Sequence, residues 1–170
     1  MKSAPPVNLE PFVLSNYLKM GIEDRISVAF RDSPLDISHI LRQIASPQCG
    51  GTSLFIGSTR ENSRGKLVLK LYYEAYQNMA TRIIRSFCDG VLKSFPGIVK
   101  IAIVHKLGDC MVGEHGIIIG VSAEHRHDAI SACHSLIDQI KRSAPIWKKE
   151  FYEDGSAWLE NSEWQNNTCT

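Results

Sequence analysis

Lys141 and Lys148 are the residues of this chain best placed to do chemistry on an anion. Lys141 follows Ile137 by four positions and Cys133 by eight, at the border of an apolar helical stripe rather than opposite it. Partial burial and neighbouring cations are what make a lysine usable as a base or nucleophile near neutral pH. The same position also suits a lysine that lays its stem along the core edge and keeps its ammonium in water. Just beyond it runs Ala144-Pro145-Ile146-Trp147-Lys148-Lys149-Glu150. Its proline ejects the backbone from the helix, and its tryptophan is expected to anchor the new direction in the core. Lys148 would then be fixed relative to Lys141, giving two anchored cations for a phosphate or thiocarboxylate. A solvated Lys-Lys-Glu turn is the alternative.

Three further residues join this set. His125-Arg126-His127 leaves a strand and opens the last helix, where backbone donors and the helix dipole favour anions. Arg126 could hold a phosphate through its fork, with His125 as a donor or an acid or base; a plain polar strand end is the other reading. His-x-His has no third ligand at a recognisable spacing, so no metal site is expected. Arg60 lies in a polar loop after Gly57 that lacks the spacing of a nucleotide-binding P-loop. It can present one arginine to an anionic ligand or be part of a solvated hairpin.

The elements that must position these residues follow from periodicity. Ile26 to Phe30 alternates as a strand, and Ile37, Ile40, Leu41 and Ile44 repeat at helical spacing before Pro47. Ser53 to Ser58 and Leu67 to Tyr76 read as strands around the polar loop Thr59 to Gly65, with Leu67, Leu69, Leu71 and Tyr73 on one face. Met79, Ile83, Phe87 and Val91 mark a long helix ended by Pro96-Gly97. Val99 to Lys106 and Gly116 to Ala123 are two more strands, joined by a turning connection from Leu107 to Glu114. A final helix from about Asp128 to Ser143 carries Ile130, Cys133, Ile137 and Ile140 on one stripe. This order predicts an α+β domain over residues 25–159, its largely antiparallel sheet covered by helices on one face. Residues 1–24 read as a flexible N-terminal segment and residues 160–170 as a polar tail.

Composition narrows the function classes. With 19 basic and 18 acidic residues the net charge is +1, so nucleic acid and anionic membrane are not expected partners. The five cysteines form no C-x-x-C pair and read as reduced thiols, with Cys88 and Cys133 as packing residues. No secretory signal and no run of roughly 18 apolar residues is present, so a cytosolic protein is expected.

The candidate residues stand in a longer ordered set: Gly57-x-x-Arg60, Tyr73-Glu74-x-Tyr76-x-x-Met79-Ala80, His105-x-Leu107-Gly108, Gly113-Glu114, His125-Arg126, and Asp138-x-x-Lys141 followed by Pro145-Ile146-Trp147-Lys148-Lys149-Glu150. From Ile26 to Trp158 the chain resembles the large, catalytic subunit family of molybdopterin synthase. That resemblance implies an α/β-hammerhead type of fold and a homodimer of large subunits. It also implies a small ubiquitin-like subunit at each far end, completing a heterotetramer. The small subunit's C-terminal thiocarboxylate would deliver sulfur to cyclic pyranopterin monophosphate, with no cofactor or metal of the enzyme's own. Lys141 and Lys148 match the family's catalytic pair, and both also bind substrate. Arg60 shares their pocket, and His125 and Arg126 match substrate-binding residues that the family places across the dimer interface. A catalytically silent scaffold that holds the partner's tail is the competing reading. His127-Asp128 departs from the small or apolar residues expected after Arg126, and a further phosphate-binding arginine has no match after Trp158.

Overall fold

The computed structural model describes residues 25–159. Its elements are β1 (Ile26–Arg31), α1 (Ile37–Ile44), β2 (Gly51–Ser58), β3 (Asn62–Ser63), β4 (Lys66–Ala75), α2 (Gln77–Ser94), β5 (Ile98–Lys106), β6 (Gly108–Met111), β7 (His115–Ala123), α3 (Arg126–Ser143), β8 (Ile146–Tyr152) and β9 (Gly155–Leu159). The expectations for residues 1–24 and 160–170 lie outside the described residues.

Two sheets form, where one was expected. The first has the order β1-β5-β7-β2, antiparallel except for the parallel pair β1 and β5. Its central strands β5 and β7 are apolar without a break from Ile101 to Val104 and from Gly116 to Val121, and buried along nearly their whole length. A strand of that composition has no solvated face and must be covered on both sides. Helices α2 and α3 cover one side through Ile84, Cys88, Val91, Leu136, Ile137 and Ile140, packed on Ile101, Ile103, Ile119 and Val121. Helix α1 covers the other, with Ile40 and Ile44 on Ala102, Val104 and Ile118. The expectation of helices on a single face is therefore corrected.

The second sheet, β3-β4-β8-β9 with β6 also on β4, contains strands that the periodicity did not reveal. The loop Thr59 to Gly65 holds β3 and a tight turn whose Arg64 and Gly65 have φ of 53° and 79°, the left-handed pair of a two-residue hairpin loop. The connection after Leu107 holds β6, and the segment after Pro145 is a strand rather than a turn. Trp147 points away from the core and is 52% exposed. Leu67 and Leu69 are also exposed, while Val68 and Leu71 are buried. A register shift between Val68 and Lys70 changes which face the strand's side chains occupy. Ile130 is 58% exposed and Met79 is exposed too; the buried stripes run through Ala132, Cys133 and Leu136 on α3, and Ala80 and Ile84 on α2.

Gly120 marks the closest approach of α1 to the sheet. A Cβ there would lie 2.8 Å from both Ile40 Cγ2 and Ile44 Cδ1, and 3.2 Å from Leu54 Cδ2. Gly120→Ala is expected to overpack this layer and destabilise the protein by about 1–3 kcal/mol, read as a lower urea midpoint at unchanged slope.

Candidate active site

The chain between α3 and β8 brings the two lysines together. α3 ends at Ser143, and Pro145 turns the backbone into β8, because proline cannot donate to the next helical turn. The Pro145 carbonyl accepts from Tyr76 N–H at 3.3 Å, which ties this corner to the start of α2. β8 then runs antiparallel to β4, with Lys148 opposite Tyr73 and Glu150 opposite Leu71. Alternation along the strands puts these four side chains on one face.

That face forms a wall of a cavity of about 380 Å³ at the junction of the two sheets, a size that suits a small ligand. The opposite wall is Phe55, Gly57 and Ile117 from the first sheet, with Arg60, Asn62 and Ser63 from the hairpin loop. Lys141, in the last turn of α3, completes it. The loop is held at its base, where Thr59 N–H donates to Glu114 O and Gly113 N–H donates to Thr59 O, both at 2.9 Å. A bulge between Gly57 and Ser58 releases the chain from β2 at this point.

Arg60, Lys141 and Lys148 therefore face one space, and among the described lining residues these three cations stand against one carboxylate, that of Glu150. Glu150 is nearly enclosed, its side chain only 6% exposed, and it pairs with Lys148 Nζ at 3.6 Å. The arrangement suits a ligand carrying more than one negative charge, since preorganised cations stabilise it without reorganising. Neutral groups stand in this wall and behind it, Tyr73 among the lining residues and Cys110 behind them. Burial, then Cys110 and Glu150, hold the Tyr73 phenol protonated far above its ordinary range. Burial also raises the Cys110 thiol, which accepts from the Thr59 hydroxyl at 3.2 Å; Cys110 does not line the cavity.

His125 and Arg126 lie elsewhere, as the N-cap and first residue of α3. The fifteen residues from Arg126 to Lys141 rise about 22 Å along the helix, so one chain cannot bring both ends of α3 into one pocket. Glu150 and Tyr73 carry no expected role from the sequence, although both stand in the family motifs. The alternation of Ile146, Lys148, Glu150 and Tyr152 was the available signal, together with Asp154-Gly155, a hairpin dipeptide.

The family profile described as MoaE protein matches residues 30–143. The chain belongs to the MoaE family. It is 46% identical to the molybdopterin synthase catalytic subunit of Arabidopsis thaliana, covering 85% of this chain and 73% of that one. It is 40% identical to the protein of the same name from Taeniopygia guttata, covering 82% and 92%. Among solved structures, molybdopterin synthase from Staphylococcus aureus aligns with a TM-score of 0.72 at 32% identity, over 79% of this chain and 95% of that one. The MoaE fold is thus the α+β arrangement described above. Among the described residues no helix is long and apolar enough to cross a membrane.

His105 forms part of the support behind the cavity. Its ring stands edge-on to Tyr73 at 4.9 Å, and its Nδ1 lies 2.7 Å from Lys106 O. Burial pushes this imidazole down from 6.5 to about 4, against a smaller upward effect of the backbone bond. The native ring stays neutral while the unfolded one takes up a proton, so this contribution to stability is complete above about pH 6.5 and is lost as pH falls toward 4. The loss is expected to be on the order of 3 kcal/mol. Urea unfolding at pH 7 and pH 5 should show about 2 kcal/mol of it, and His105→Leu should flatten the dependence.

Proposed function

We propose that this MoaE-family chain is the catalytic subunit of a molybdopterin synthase in molybdenum cofactor biosynthesis. In this reading it is a sulfurtransferase that takes sulfur from the thiocarboxylated C-terminus of a small ubiquitin-like subunit and delivers it to cyclic pyranopterin monophosphate in the cytosol. The observation that carries this is the convergence of Arg60, Lys141 and Lys148 on one cavity between the sheets. A cyclic phosphate and a thiocarboxylate entering one space need several cations and little competing negative charge. The names of the curated relatives support the same reaction.

Lys141 serves proton transfer or a covalent step at the pterin side chain, and Lys148 is its partner. Arg60 holds the phosphate from the loop. Lys141→Ala is expected to lower product formation from the cyclic substrate and the thiocarboxylated small subunit by on the order of 100-fold or more. A variant that retains native rates would remove Lys141 from the chemistry. A native chain that binds the small subunit and makes no product would favour a scaffold.

His125 and Arg126 complete the site from a second copy of the chain in a homodimer, within a heterotetramer that includes two small subunits. The distance along α3 is the reason, because one copy cannot supply both ends. Subunit exchange between Lys141→Ala and Arg126→Ala dimers tests it: each mixed dimer holds one site with every residue native. Random exchange should restore about a quarter of the native rate. No recovery after demonstrated exchange would show that the site is not shared.

A further inference from the structure

We propose that Tyr152 is a positioning residue for the transfer chemistry: its hydroxyl orients the Glu150 carboxylate, and that carboxylate orients the ammonium of Lys148 in the cavity. The inference rests on the role given above to Lys148.

The three residues occupy alternate positions of β8, at 148, 150 and 152, so their side chains share one face. Tyr152 Oη donates to Glu150 Oε2 at 2.8 Å, and Glu150 Oε1 faces Lys148 Nζ at 3.6 Å. The carboxylate's two oxygens are thus divided between the two neighbours. Its enclosure leaves little water to replace a lost donor, and a buried acceptor depends on the donors the protein supplies. Lys148 is 34% exposed and has a flexible four-carbon stem, so the direction of its ammonium depends on the partner it meets. Tyr152 is itself held. It stands opposite Val68 and packs against the buried cluster of Val68, Leu71 and Cys110. Lys66 Nζ lies 5.3 Å from its ring centroid and is bound to Asp154, in the turn before β9, at 2.8 Å. Donation to Glu150 is also the main reason its phenol is shifted upward, so it remains a donor. Tyr152 does not line the cavity, which makes its effect indirect.

The test is a double-mutant cycle read in steady-state product formation, using the native chain, Tyr152→Phe, Glu150→Gln and the double variant, each with the thiocarboxylated small subunit. Tyr152→Phe is expected to lower kcat about five- to tenfold, with KM for the pterin within about twofold and the protein still folded at the assay temperature, its thermal midpoint lowered by only a few degrees. In the Glu150→Gln background the same change should cost less than about twofold. The Lys148→Ala background gives an independent reading, because there the hydroxyl has nothing to position. Native kcat in Tyr152→Phe, or an equal loss in every background, would overturn the proposal. An inactive native chain would instead overturn the function on which it rests.

Discussion

The antiparallel pairing of β4 with β8 is the constraint on which the site depends. β4 precedes α2 and β8 follows α3, so the ladder joins segments about seventy to eighty residues apart in sequence. Its register sets Lys148 opposite Tyr73 and Glu150 opposite Leu71. A slip of one residue would send Lys148 and Glu150 to the outer face, where Trp147, Lys149 and Phe151 now lie. Lys148 is therefore placed by a backbone ladder, and a ladder is stiffer than a loop.

The ladder rests in turn on the first sheet. β5 and β7 are apolar on both faces, which requires α1 on one side and α2 with α3 on the other. Burying that double core fixes the axis of α3, and with it the position of Lys141 one turn before Pro145. Phe55, Gly57 and Ile117 supply the apolar wall from the same sheet. The cavity is a seam between two packed units, each contributing one lysine.

Its electrostatics come from an unequal treatment of titratable groups. Tyr73 in the wall and His105 and Cys110 behind it are held neutral by burial, while the cations stand at the surface of the cavity with Glu150 as the one carboxylate among its described lining residues. A neutral backing avoids competing negative charge and leaves the pocket's positive potential for the ligand. Glu150 is the exception, and its bonding to Tyr152 and Lys148 explains how a nearly enclosed carboxylate is accommodated.

The sequence by itself determined the elements whose signals are local. Apolar runs marked β5 and β7, helical spacing marked α1, α2 and α3, Pro145 marked the end of α3, and the motif around Lys141 and Lys148 pointed to the family. Only the tertiary structure decided the rest. Ile146, Lys148, Glu150 and Tyr152 alternate without an obvious apolar face, so their strand becomes evident when β4 supplies its partner. Trp147 looked like a core anchor by residue type, but the pleat of β8 turned it outward. Val68 displaced Leu69 from the buried face because a register shift altered the period. Arg60, Lys141 and Lys148 were legible as cations, while their convergence was not, because it depends on two sheets meeting over a long sequence separation. The remoteness of His125 and Arg126 likewise followed from the length of α3, a distance that local spacing does not express.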